Sequence, residues 1–145
     1  MNTHRFRAWR FVHPAVDQGG EFGGIQVSPA GRIEMVSEAM SIRQSILMIL
    51  STVPGERVMR PNYGCRINRL MIWPNDDTTA GLAIHYVTRA VERWEPRVDL
   101  EKVDAQRDPE SPSRMNVSLV YRIRSTQQVD RMIFPFDLEG REVIA

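Results

Sequence analysis

Side chains able to do covalent chemistry are sparse in this sequence and do not converge on a motif. The histidines are His4, His13 and His85. Two fall near the N-terminus, and His85 falls on the polar side of a predicted helix, where solvation explains it. No serine occupies a strand-to-helix nucleophile elbow. Cys65 is the single cysteine. Its neighbour Arg66 would favour the thiolate in an open loop, whereas a half-buried site makes it a small, inert residue. One cysteine excludes an internal disulfide and zinc sites built on several thiolates. Asp76 and Asp77 form the tightest acidic pair, and both suit a helix start. Gly19-Gly20 and Gly23-Gly24 lack the strand-to-helix context of a phosphate cradle. Glu56, Glu92, Glu95 and Asp99 are nominal partners for the two-carboxyl chemistry of glycoside cleavage. Any chain with 18 acidic residues contains such pairs, so they carry little information. No residue qualifies as catalytic, as a cofactor anchor or as a metal ligand.

Two places do hold charge in unusual positions. The first is the corner Glu95-Pro96-Arg97. Pro96 ends a helix, because the residue before a proline is pushed out of helical geometry. Glu95 then sits at a helix C-terminus, where the macrodipole disfavours an anion by about 0.3–1 kcal/mol. A nearby arginine would offset that cost. Arg97 is adjacent but points elsewhere if it opens a strand. Arg57, Arg60 and arginines of partner chains are the alternatives, and a plain solvated helix end is the simplest reading. The second place is the loop from Gly55 to Gly64, which interleaves Glu56, Arg57 and Arg60 with the rigid Pro61 and the permissive Gly64. Loops of this kind, held on a scaffold, often carry function.

The scaffold that positions these places follows from composition and period. A chain of 145 residues fits one domain. Its 42% hydrophobic and 26% charged content suffices for a core of modest size. Nineteen basic against eighteen acidic residues leave a net charge of +1, which is no whole-chain nucleic-acid footprint. No apolar run approaches the ~20 residues of a membrane helix. No apolar segment of a signal peptide follows Arg5, Arg7 and Arg10. The lone cysteine suits a reducing cytoplasm.

Residues 1–24 read as an arm, extended or held by a partner, ahead of a single domain over 25–145. Ile25–Val27 and Arg32–Val36 form a hairpin about Ser28-Pro29-Ala30-Gly31. The first helix starts near Ser37 or Ser41, with Ser41 and Gln44 as a capping box. Ile42, Ile46, Ile49, Leu50 and Val53 make its apolar face, and Pro54-Gly55 stops it. Ile67, Leu70 and Met71 share one short helical turn. A second helix, capped by Asn75, Asp76 or Asp77, buries Ala83, Tyr86, Val87, Ala90, Val91 and Trp94. Gly81, His85, Thr88, Arg89 and Glu92 take its wetter face. Strands follow. Val98 and Leu100 alternate on one parity, Val103 and Ala105 on the other, which predicts a bulge near Glu101-Lys102. Met115, Val117, Leu119, Tyr121 and Ile123 alternate cleanly. Val129 to Phe136 is a last strand, confined to an edge by Pro135. The fold class is α+β: an N-terminal hairpin and two main helices packed on a mostly antiparallel sheet formed largely by the C-terminal strands.

Several of these segments, taken in order, resemble a known family. They are Ile42-Arg43-Gln44-Ser45-Ile46 with Ile49-Leu50, then Gly55-Glu56-Arg57-Val58-Met59-Arg60-Pro61 with Gly64. Next come Arg93-Trp94-Glu95-Pro96-Arg97-Val98, and Tyr121-Arg122-Ile123-Arg124 before Ile133-Phe134-Pro135-Phe136. The family is the baseplate wedge, or sheath-initiator, family of contractile phage tails, type VI secretion and related injection particles. The resemblance spans about Ile25 to Phe136 and leaves the arm unmatched. It implies a structural, non-enzymatic subunit, present in several copies in a ring, assembled in the bacterial cytoplasm and carried in the baseplate. It implies wedge proteins, sheath protein and tube or hub proteins as partners, with no nucleic acid, no membrane insertion and no cofactor. It further implies that the terminal β-structure resembles part of the sheath protein and templates the first sheath ring by strand addition. In that mode the unpaired backbone of a sheet edge supplies affinity. The partner-binding residues it implies are Glu95, Pro96 and Arg97, with Arg57 and Arg60 as charge partners and Tyr121, Arg122 and Phe134 on the terminal strands.

Two other readings stand beside it. A peptidoglycan-cleaving, lysozyme-like enzyme needs an acid of raised pKa, whereas arginines around Glu95 would lower it. A regulatory binding module of the anti-adaptor type shares the resemblance in fold. For the arm, Phe6, Trp9 and Phe11 with three arginines either dock on a partner or form a loose tail.

Overall fold

The computed structural model describes residues 7–13 and 23–139. His4, Phe6 and the glycine pair Gly19-Gly20 lie outside the described residues. Four short strands come first: β1 (Arg7–Trp9), β2 (Phe11–Val12), β3 (Gly24–Ile25) and β4 (Met35–Ser37). Helix α1 (Glu38–Ser51), a 3₁₀ turn (Arg66–Leu70) and helix α2 (Asp77–Trp94) follow. Three long strands close the order: β5 (Val98–Arg107), β6 (Arg114–Ile123) and β7 (Val129–Asp137). The chain is α+β, with β5, β6 and β7 in one antiparallel sheet of that order.

Alternation builds the sheet. Met115, Val117, Leu119, Tyr121 and Ile123 of β6 are all buried on the helix side, joined by Met132 and Phe134 of β7. Helix α2 lies over β5 and α1 over β7, so one core fills the space between. The parity switch in β5 is real. The register against β6 shifts between Leu100 and Lys102, leaving Glu101 as the extra residue. Pro135 does lie on an edge strand, opposite Asn116.

Hydrogen bonds at the two ends of β7 fix which of its backbone groups face inward. Ile123 N–H donates to Gln128 O at 2.8 Å, and Leu138 N–H donates to Ser113 O at 2.9 Å. The register between them is unbroken. Antiparallel pairs alternate between bonded and non-bonded, so Asp130, Met132, Phe134 and Phe136 bond to β6. Val129, Arg131, Ile133 and Pro135 turn their backbone outward. Pro135 therefore costs the ladder nothing; the N–H it lacks would have pointed away from the sheet.

Of the two expected starts of α1, the N-cap is Ser37; the expected capping box does not form, because Ser41 is buried inside the helix. Gln44 does not reach back to Ser41. Its amide pairs with the N-terminal segment instead: Oε1 accepts from Phe11 N–H and Nε2 donates to Trp9 O, both at 2.7 Å. Gln44 thus acts like one residue of a neighbouring strand. The arm is correspondingly part of the fold where it is described. Strand β1 pairs with β4, placing Trp9 opposite Met35, and β2 pairs with β3. The hairpin turn is present, with Ser28 N–H donating to Arg32 O at 2.8 Å and Val27 bridged to Ile33.

Candidate functional site

The corner at the end of α2 is built by its own sequence. Asp76 starts the helix, its side chain accepting from Thr79 N–H at 2.9 Å. Ala83, Val87, Ala90 and Val91 seat it on the core. Glu95 is the C-cap, and its N–H still donates to Val91 O at 2.9 Å. Pro96 then forces the turn into β5.

Glu95 is only 2% exposed. Its carboxylate takes a two-pronged contact from Arg97: Nε to Oε1 at 2.7 Å and Nη2 to Oε2 at 2.8 Å. The Arg97 backbone N–H adds a longer bond to Oε1 at 3.3 Å. Ser45 of α1 also hydrogen-bonds the carboxyl. Fork-to-carboxylate geometry of this kind is the strong form of a charged hydrogen bond. Arg97 therefore does not point away, as a strand-opening residue was expected to. With a single residue between them, the proline turn folds the guanidinium back over the carboxylate. Burial pushes the Glu95 pKa up, but the Arg97 and Ser45 hydrogen bonds and the Arg97 charge outweigh it, and the net shift is downward. A general acid for glycoside cleavage needs the opposite. Glu95 is instead a clasp joining α1, the end of α2 and the start of β5.

Arg57 and Arg60 are not hydrogen-bonded partners of Glu95. Arg57 stacks over the Tyr63 ring, 4.2 Å from its centroid. Tyr63 in turn packs at a tilt on Trp94, centroids 5.3 Å apart. Arg60 is exposed. The loop is anchored below this tip. Gly64 adopts φ +126°, and a Cβ there would lie 2.3 Å from Thr52 O. Only glycine allows that approach. The adjacent Cys65 N–H donates to the same oxygen at 3.0 Å. Cys65 is buried, and burial pushes its thiol up to about 11, so it is the inert structural cysteine rather than an activated one.

The remaining predicted residues divide. Tyr121 and Phe134 lie in the core. The Tyr121 hydroxyl donates to Asp130 Oδ2 at 3.2 Å, and burial followed by the Asp130 charge holds its pKa above the ordinary phenol value. Arg122 is on the open face, paired with Glu101 at 2.6 Å. Pro96 is exposed, and Arg97 is 25% exposed. So Pro96, Arg97, Arg57 and Arg60 offer surface, Arg122 offers surface elsewhere, and Glu95, Tyr121 and Phe134 act from behind.

Some surface escaped the sequence reading. Val58 and Met59 are 95% and 91% exposed at the loop tip. The apolar pair between two arginines was the available signal. Ile72 is 92% exposed with φ +69°, a strained conformation for a β-branched residue; its N–H donates to Leu138 O at 2.7 Å. Nothing in its local sequence marks it. Among the described residues no three of His, Cys, Asp and Glu group to hold a metal, and no helix is long and apolar enough to cross a membrane.

This is the architecture of an assembly module, with a charged clasp inside it and, among the described residues, no further strand on either edge of its sheet. The family described as baseplate wedge protein gp25 matches residues 36–128, and the chain belongs to that family. Its role is accordingly structural, in the baseplate of a contractile tail or injection system. The chain is similar to a "putative tail lysozyme" from Geobacter sulfurreducens, at 37% identity and a TM-score of 0.67, over 74% of this chain and 97% of that one. It is also similar to a chain of the anti-feeding prophage baseplate, at 20% identity and a TM-score of 0.62, over 94% and 89%. A chain of the postcontracted pyocin R2 baseplate aligns at 24% identity and a TM-score of 0.49, over 79% and 96%. No curated protein sequence matches it.

Proposed function

We propose that this baseplate subunit joins the wedge to the first sheath ring and starts the sheath by accepting a strand on the free edge of β7. The observation that supports this most is the ladder phase. Val129, Arg131 and Ile133 face outward, and among the described residues no other backbone group bonds to them. Such an edge is a template for strand addition. Tyr121 and Phe134 support it from the core side. On this reading the wedge contact uses Pro96, the exposed part of Arg97, Arg57 and Arg60, while Glu95 holds Arg97 in place.

Ile133→Pro tests the edge. It removes one outward N–H and no bond to β6, so the fold should survive while sheath polymerisation on the baseplate fails. Normal sheath from a well-folded Ile133→Pro baseplate would exclude the edge as the nucleating surface.

A further inference from the structure

The outer side of α2 carries a second surface that the strand-addition reading does not use. His85, Arg89 and Arg93 follow one another at four-residue spacing, a column about 12 Å long on one helix face. Arg89 and Arg93 are like charges at that spacing, which destabilises a helix, so local stability does not favour this order. The column faces a wall of the loop, where Gly64 and Arg66 sit, across a groove of about 510 Å³. Among the described residues Glu92 is the one carboxylate lining it.

Among the described residues some arginines elsewhere are matched and others, such as Arg32, Arg60 and Arg107, are not. Arg10, Arg97, Arg114, Arg122 and Arg124 each meet a carboxylate. Among the described residues no such ion pair holds Arg66, Arg89 or Arg93. The groove is also preformed. Its wall is pinned to Thr52 through Gly64 and Cys65. Arg93 is laid over the Trp94 ring at 4.9 Å, and Trp94 is held by Tyr63. Rigid aromatic and arginine groups of this kind are the anchors of protein interfaces. Val58 and Met59, on the same loop but not among the residues that line the groove, are apolar and nearly fully exposed.

We propose that this groove docks an acidic segment of another protein of the baseplate. Positive lining with one acid gives the charge complementarity that steers such a partner and sets its register. The inference needs family membership but not the sheet edge, so the two stand or fall separately.

The test is titration of the full chain with a short fluorescein-labelled Glu/Leu peptide, with an oligothymidylate of matched charge as competitor. The peptide should bind, shifting the Arg89 and Arg93 side-chain and Trp94 indole NMR signals. The double substitution Arg89→Glu/Arg93→Glu should weaken it by about tenfold or more with an unchanged circular dichroism spectrum. Arg32→Glu, an exposed charge on the hairpin, should leave it unchanged. Absence of binding, equal weakening by Arg32→Glu, or tighter binding of the oligothymidylate would each overturn the assignment. Sheath assembly on Ile133→Pro baseplates is unaffected by any of these outcomes.

Discussion

Replacing Glu95 by glutamine keeps the side chain's size but removes the charge that Arg97 clasps. Cutting one partner from a buried pair leaves the other unmatched, and the cost for this partly exposed pair is about 2–3 kcal/mol. Chemical denaturation checks it. The pH dependence follows from the lowered Glu95 pKa. A carboxyl with a depressed folded pKa contributes stability above its unfolded value and loses it as pH falls through the folded one. Wild-type Tm should therefore drop faster than that of Glu95→Gln as pH is lowered from about 5 to about 3. Assembly defects in corner variants must be read against this stability loss, because the contact is internal. Cys65 supplies a second residue-scale test. A buried thiol with its pKa near 11 should resist thiol reagents at neutral pH until the protein unfolds. The sequence placed Glu95 at a helix end and asked for an arginine. It did not identify Arg97, because Glu95 closes a helix and Arg97 was read as opening a strand in another direction, and only the turn at Pro96 folds the guanidinium back onto the carboxylate.

At the scale of elements, Gln44 and Gly64 each hold a segment that has few contacts of its own. Gln44→Ala deletes both amide bonds to Trp9 and Phe11. Amide exchange at Phe11 should accelerate by an order of magnitude or so while the β6 amides stay protected, since segments open locally with their own free energies. Gly64→Ala forces a side chain into Thr52 O at a positive φ and should cost at least about 2 kcal/mol. Gly31→Ala, also at positive φ but in open space, should cost about 1 kcal/mol. Both helices, the bulge, the clean strand and the edge position of Pro135 were legible because each has a strong local period or breaker. The capping box at Ser41 was not, because the match to a local motif lost to a tertiary one. The Gln44 amide bonds backbone more than thirty positions away, and no local window contains that partner. The same limit hid the docking of β1 on β4.

For the whole molecule, the sheet's two outer strands share one device. On β7 the outward Arg131 N–H is occupied by Asp130 Oδ1 at 2.8 Å. On β5 the Ala105 N–H is occupied by Asp104 Oδ1 at 2.9 Å. Each edge is thus partly satisfied by its own preceding aspartate, a guard against indiscriminate pairing. Asp130→Ala should free the Arg131 N–H and raise self-association of the isolated chain, measurable by sedimentation. Pro135 completes the arrangement. On the strand-addition reading, with Val129 and Ile133 as the open outward donors, Arg131 guarded by Asp130 and none at 135, a newcomer would meet a ruler about five residues deep, some 13 Å of strand, and then a blank. On that reading the proline is a length gauge: it would admit a short registered segment, leave the next position without a donor, and so limit how far any one neighbour is zipped on.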